Sequence, residues 1–292
     1  MRKLILILLL ASFAWGFVAD KPAYLIYTSQ LKPSSYEKML SEAKEADILF
    51  FGELHDNPIA HWLELQVTKD LYTDKKGNLV LGAEMFEADN QVVLDEYLKG
   101  IITGKQFETE AKMWQNYATD YKPMVDFAQK NKINFIATNI PRRYASLVSK
   151  GGLDALNQLS EEGKKSVAPL PINVDLTLSG YAEMMKMGGM HGMGGSTMSA
   201  ENIAKAQASK DATMAHFILK NWSEGKAFLH FNGSYHSNNF EGIIWYLKKA
   251  NPSLKIVTIN TIEEADIKEP NTKHKGSASF VVAIPSDMIK SY

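Results

Sequence analysis

Four short clusters carry side chains able to move protons or hold a metal. They are Gly52-Glu53-Leu54-His55-Asp56-Asn57, Gly82-Ala83-Glu84-Met85-Phe86-Glu87, Asn139-Ile140-Pro141-Arg142-Arg143 and Asn232-Gly233-Ser234-Tyr235-His236. Carboxylate and imidazole together ligate divalent metals, and they also serve as general base and acid. Glu53, His55, Glu84, Arg142 and His236 therefore form a candidate polar pocket, with His55, Glu53 and His236 as metal ligands if the pocket is hydrolytic. A third reading is a retained polar pocket on a scaffold that binds a cofactor elsewhere. The chain lacks the His-Glu-x-x-His, Gly-x-Ser-x-Gly and phosphate-loop patterns, so zincin, esterase-elbow and nucleotide readings lose support. Arg142 and Arg143 are adjacent, so one of them is expected to face the site.

A second unusual stretch runs from Tyr181 to Gly195. Five of the 13 methionines fall between residues 184 and 193, beside His191 and several glycines. Glycine disfavours helix, so the tract is expected to be an exposed apolar segment. Polarisable thioethers with a histidine suit a flat ligand or soft copper(I). An adaptable loop without a ligand is the competing reading.

Strands must position the four clusters. Apolar runs at 47–51, 79–83, 134–138, 227–231, 255–259 and 279–284 read as buried strands. Helical spacing follows Asn57-Pro58, spans 89–98, starts again at Pro123 and Pro141, and recurs at 199–222 and 240–248. Alternating strands and helices predict an α/β fold, with a mainly parallel sheet covered by helices on both faces. Residues 141–225 break the rhythm and are expected to form a helical insertion or cap within a single domain over 20–292. Each of the four clusters lies at the carboxyl end of a predicted strand, where an open parallel sheet binds its ligands. The helix opening at Asn57-Pro58 points its first N–H groups at the same edge, which would suit an anion. His61, His216 and His230 fall inside helix or strand patterns and are expected to be structural.

Composition narrows the partners. The 292 residues are 45% hydrophobic, and 32 basic residues nearly balance 33 acidic ones. No global field favours nucleic acid or an anionic surface. Arg2 and Lys3 followed by the apolar run 4–13 read as an export signal, with residues 1–19 removed. Losing those two cations takes the net charge from −1 to −3. There is no cysteine, which excludes disulfides, thiolate zinc sites and a lipoprotein anchor. A periplasmic or otherwise exported location is expected.

In their order along the chain, the four clusters resemble the ChaN family of haem-binding, iron-regulated proteins, over about residues 44–248. That family is similar in turn to the erythromycin esterase and Tiki/TraB group, where the equivalent histidines and second glutamate serve hydrolytic or metal-dependent chemistry. The resemblance implies haem bound face to face at a homodimer interface, with tyrosine ligation and a histidine nearby, in haem or iron acquisition with an outer-membrane haem receptor as a partner. Tyrosinate suits ferric iron. Tyr181, His191 and Tyr235 are the candidate haem contacts, with Tyr144 a further rival. Many family members are lipoproteins, a feature this chain cannot share. The alternative is a Glu/His-dependent hydrolase, with or without a divalent metal.

Overall fold

A computed structural model describes residues 21–190 and 199–292. The proposed leader, His191 and Met193 lie outside the described residues. The strands are β1 (Leu25–Thr28), β2 (Pro33–Ser34), β3 (Ile48–Glu53), β4 (Leu79–Glu87), β5 (Asn134–Asn139), β6 (Ala227–Gly233), β7 (Ile256–Glu264) and β8 (Phe280–Pro285). The principal helices are α1 (Tyr36–Ala43), α2 (Pro58–Lys75), α3 (Gln91–Leu98), α4 (Gly104–Glu110), α5 (Lys122–Asn131), α6 (Arg142–Gly151), α7 (Glu161–Lys164), α8 (Ser179–Met190), α9 (Ala200–Asn221) and α10 (Ile243–Ala250).

The strands form one sheet in the order β2-β1-β8-β7-β3-β6-β4-β5. From β8 to β5 the neighbours run parallel, while β1 pairs antiparallel with β8 and β2. This is the expected α/β sheet, extended by an antiparallel edge that the sequence reading had not found.

Strand alternation divides the core between two faces. Leu49, Phe51, Leu81 and Leu229 pack with Leu63, Val67 and Leu71 of α2 and Val125 of α5. Ile48, Phe50, Val80 and Phe228 pack with Met214 and Ile218 of α9 and Ile244 and Leu247 of α10. Both faces are covered, so the central strands are buried along their length and read as unbroken apolar runs. The parallel sheet then presents the carboxyl ends of β3, β4, β5 and β6 along one edge.

Among the described residues, the connection from β5 to β6 holds helices and no strand. Within it, α8 continues through Gly188 and Gly189, against the expectation that glycine would deny this tract a helix. Its Tyr181 packs on Ala204 and Ala208 of α9, with Met184 and Met185 alongside. The alanines let the two helices approach closely, and that packing outweighs an intrinsic glycine penalty of about 1 kcal/mol per residue.

Candidate functional site

The strand ends open into a cleft of about 960 Å³, at the upper end of the range for small-molecule sites. Glu53, His55, Glu84, Arg142, Tyr235 and His236 all line it. The structure thus brings together the five candidate pocket residues and one of the candidate haem tyrosines.

Glu53 ends β3 and is buried, with only 1% of its surface exposed. Its Oε1 accepts from His55 Nδ1 at 2.5 Å and from the Tyr121 hydroxyl at 2.7 Å. Burial pushes this carboxyl up, but the neighbouring His55 and His61 imidazoles outweigh burial and hold it far below the carboxylate range. His55 is partly exposed, with Trp114 edge-on at 4.7 Å. Its Nδ1 is taken by Glu53, while Nε2 faces Gly233, where a Cβ would lie only 2.6 Å from it. A larger residue there would have to push the imidazole aside, because the strand end and the ring share one space. Burial lowers the basicity of His55, but Glu53 and Glu84 outweigh it and lift the imidazole above its ordinary value.

Glu84 reaches the cleft floor from β4. The β4–β5 register shifts between Ala83 and Glu87, an irregularity of the kind that re-aims side chains at active edges. Its Oε2 accepts from the Gly233 N–H at 2.9 Å, and its Oε1 lies 3.0 Å from His236 Nε2. His236 Nδ1 in turn meets Asp211 Oδ1 at 2.5 Å. The imidazole is therefore clamped between two buried carboxylates. Desolvation opposes its charge, but Glu84 and Asp211 raise its pKa to about 10. Glu84 falls to about 2, because His236, His55 and Lys210 together outweigh its burial. This arrangement is a buried ion-pair relay with both imidazole nitrogens engaged.

The two arginines separate as expected. Arg142 reaches Glu87 and lines the cleft, whereas Arg143 pairs with Asp89 and stacks on Tyr144 at 4.3 Å. Asn57 does not leave its helix end free for an anion, because its side chain accepts from the Ile59 and Ala60 N–H groups. His230 is a core residue between Thr138 and Asn232, with burial depressing its pKa to about 4. His216 is half-buried and stacks edge-on against Phe217.

Tyr181 is not an exposed residue. It is 2% exposed and donates to Asp211 Oδ2 at 2.6 Å, so its hydroxyl is committed to the relay. Burial and Asp211 push its pKa far above the ordinary phenol value. Tyr235, by contrast, is 39% exposed at the cleft mouth and donates to the Gly180 carbonyl oxygen. Burial, with the negative charge of Asp211 nearby, raises it to about 12. Tyr144 accepts from Arg143 and packs over Gly163, away from the cleft.

Several participants escaped the sequence reading. Asp211 lies mid-helix among small residues, and its only signal is a charge on the buried face of an alanine-rich helix. Behind Glu53 stand His61 and Glu64 of α2, with Asp120 and Tyr121 from a π-helical turn at Tyr117–Tyr121. Such turns often re-aim side chains at functional sites. His61 is thus a neighbour of the site rather than a core histidine. Among the described residues, the acid and imidazole group whose ligand atoms converge within 4.8 Å is Glu53, His61 and Glu64.

A parallel α/β sheet with a carboxylate and imidazole cleft at its strand ends defines the class of protein. Residues 39–247 match the family described as "Haem-binding uptake, Tiki superfamily, ChaN", and the chain belongs to that haem-binding family. Among solved structures it is similar to ChaN of Campylobacter jejuni, described with cofacial haem binding. The two share 19% identity over 90% of this chain and 97% of that one, with a TM-score of 0.65. It is also similar in fold to a Bacillus cereus protein at 12% identity, over 84% of this chain and 90% of that one, with a TM-score of 0.46. A mutant erythromycin esterase in its open conformation shares 11% identity over 89% and 83% of the two chains, with a TM-score of 0.45. No curated protein matches the sequence.

Proposed function

We propose that this protein is exported and binds haem at the mouth of the strand-end cleft, through Tyr235, in haem or iron acquisition. The observation that carries this reading is the state of Tyr235. It is the candidate tyrosine that combines exposure, a place on the cleft and a single hydrogen bond to a backbone carbonyl. A phenol so placed can be released to ligate ferric iron, whose charge favours the tyrosinate. Met184 lies on the same lining as a polarisable apolar contact. Arg142 and Lys210, also on the lining, suit the propionates. Bound haem would supply the iron centre, and the protein would supply the axial oxygen and the apolar surround.

In this reading haem binds cofacially, with a second copy of the chain over the first, and the cofacial haem described for the Campylobacter protein supports it. The homodimer, the histidine contribution of His191 and delivery by an outer-membrane haem receptor belong to this same reading. A haemin titration followed by visible absorbance, with sizing before and after, tests it. A saturable tyrosinate-type spectrum and a shift to dimer are expected. Tyr235→Phe should weaken binding by at least about tenfold, a loss of some 1.4 kcal/mol. Tyr181→Phe should leave the spectrum intact. The opposite ranking of the two variants would overturn the assignment.

The hydrolase alternative has one supporting observation, the Glu53–His55 pair with Nε2 directed into the cleft. The raised pKa of His55 suits it to hold a proton for donation rather than to accept one. Turnover of an activated ester that vanishes in His55→Ala would establish that reading, and a blank panel with added divalent metals would remove it.

A further inference from the structure

Behind the cleft wall, the first turns of α2 turn polar groups inward. His61 and Glu64 are 5% and 0% exposed, while Trp62 between them is 48% exposed. The two ionisable groups interrupt a largely apolar inward face that includes Ala60, Leu63, Val67 and Leu71, while the indole stays outside. A spacing of three residues puts His61 and Glu64 on one helix face. The same His and Glu spacing, in reverse order, supplies ligands in helical carboxylate metal proteins.

These groups are not consumed by the protein's own hydrogen bonds. Both Glu64 oxygens, both His61 nitrogens and Glu53 Oε2 are buried without a well-aligned partner. His61 Nε2 and Glu53 Oε2 nevertheless lie 3.2 Å apart, close to the ligand-to-ligand edge of about 3.4 Å in a tetrahedral site with 2.0–2.1 Å bonds. On its other side, His61 Nδ1 lies 3.3 Å from Asp120 Oδ2, which itself accepts from Asn116 Nδ2 at 2.6 Å. A carboxylate behind an imidazole is the usual outer-sphere support of a metal-bound histidine. Buried polar atoms left without partners each cost about 1–3 kcal/mol, so five such atoms on the three residues Glu53, His61 and Glu64 call for an occupant.

We propose that Glu53, His61 and Glu64 form a site for one divalent transition-metal ion of the zinc class, with Asp120 orienting His61 from behind. Two carboxylates and a neutral imidazole balance a dication, whereas magnesium and calcium prefer oxygen ligands alone. Glu53 is also part of the cleft wall, which provides the entry route. Through its Oε1 the same carboxylate holds His55, so an ion at Oε2 would set the orientation of a cleft residue from the far side. The site is separate from the proposed haem position and does not depend on it.

Cobalt(II) titration of the full chain, after chelator treatment and dialysis, tests this, because cobalt reports by d–d absorbance where zinc is silent. A saturable spectrum ending at one equivalent is expected. Glu64→Gln should weaken it by at least about a hundredfold, and Asp120→Asn by about ten- to a hundredfold, as outer-sphere support does. His55→Ala removes only a partner of Glu53 and should keep the one-equivalent end point. Absence of a cobalt spectrum in the wild type would overturn the proposal and leave a proton shared by Glu64 and Glu53 as the occupant. So would a spectrum that survives Glu64→Gln and disappears in His55→Ala. If Glu64→Gln does not fold, Asp120→Asn decides, since a purely structural aspartate predicts no change in cobalt affinity. Haemin absorbance is a separate readout, so either result stands whatever the haem titration gives.

Discussion

Two groups of buried ionisable residues sit on either side of one cleft wall, and they are finished differently. The Glu84–His236–Asp211 relay is satisfied, with each imidazole nitrogen facing an oxygen at 3.0 and 2.5 Å and Tyr181 closing the far end. The Glu53–His61–Glu64 group is closed at Glu53 Oε1 and leaves both Glu64 oxygens buried without a well-aligned hydrogen bond. A satisfied network holds its shape unaided, whereas an unsatisfied one marks where something must bind. The relay therefore reads as scaffold for the cleft floor, and the α2 group as a receptor.

The largest effect should come from breaking the satisfied side. His236→Gln leaves Glu84 and Asp211 facing each other without the imidazolium. Removal of one partner from a buried pair costs about 3–5 kcal/mol. Denaturant unfolding should show a loss of that size, and a loss under 1 kcal/mol would mean that the relay is not the scaffold.

A smaller effect separates the two groups by pH. His236 has a folded pKa of about 10 against an ordinary value of 6.5. Its contribution is therefore complete below about pH 6.5 and is lost as pH rises through 10. Glu84, at about 2 against 4.5, contributes above pH 4.5 and loses its share as pH falls through 2. The two shifts express one interaction and count once. Wild type minus His236→Gln, measured from pH 4.5 to 10, should be flat at first and then shrink above 6.5. A difference that stays constant to pH 10 would place the stabilising proton elsewhere.

What the sequence made legible follows from the same contrast. The strand ends were readable because apolar runs such as Ile48–Phe51 and Phe228–Phe231 stop abruptly at Gly52-Glu53 and Asn232-Gly233, and a parallel sheet aligns those stops. His61 and Glu64 were hidden because a buried helix face is recognised by its apolar spacing, and here two ionisable groups sit among Leu63, Val67 and Leu71 while Trp62 is exposed. Asp211 was hidden because its partner, His236, is 25 residues away and meets it only when α9 packs beneath the β6 end. Tyr181 was misjudged from glycine content alone, since the alanine surface of α9 that buries it belongs to another element. The β1 edge escaped because a four-residue strand has too little periodicity to read.

The smallest effect tests the receptor side, and its sign matters more than its size. Burial pushes the Glu64 carboxyl well above its ordinary value, with Glu53 and Asp120 adding to the push. Without a metal, a group with a raised pKa contributes below 4.5 and loses that contribution as pH rises through the folded value. Near neutral pH, Glu64→Met should then stabilise metal-depleted protein by about 1 kcal/mol, because it replaces an unpartnered polar group with an apolar one of similar length. In the presence of zinc the ranking should reverse, since only the wild type gains from the ligand. A melting series with and without zinc measures both signs. Destabilisation in both conditions would mean that Glu64 is held by its neighbours after all, and the two sides of the wall would be alike.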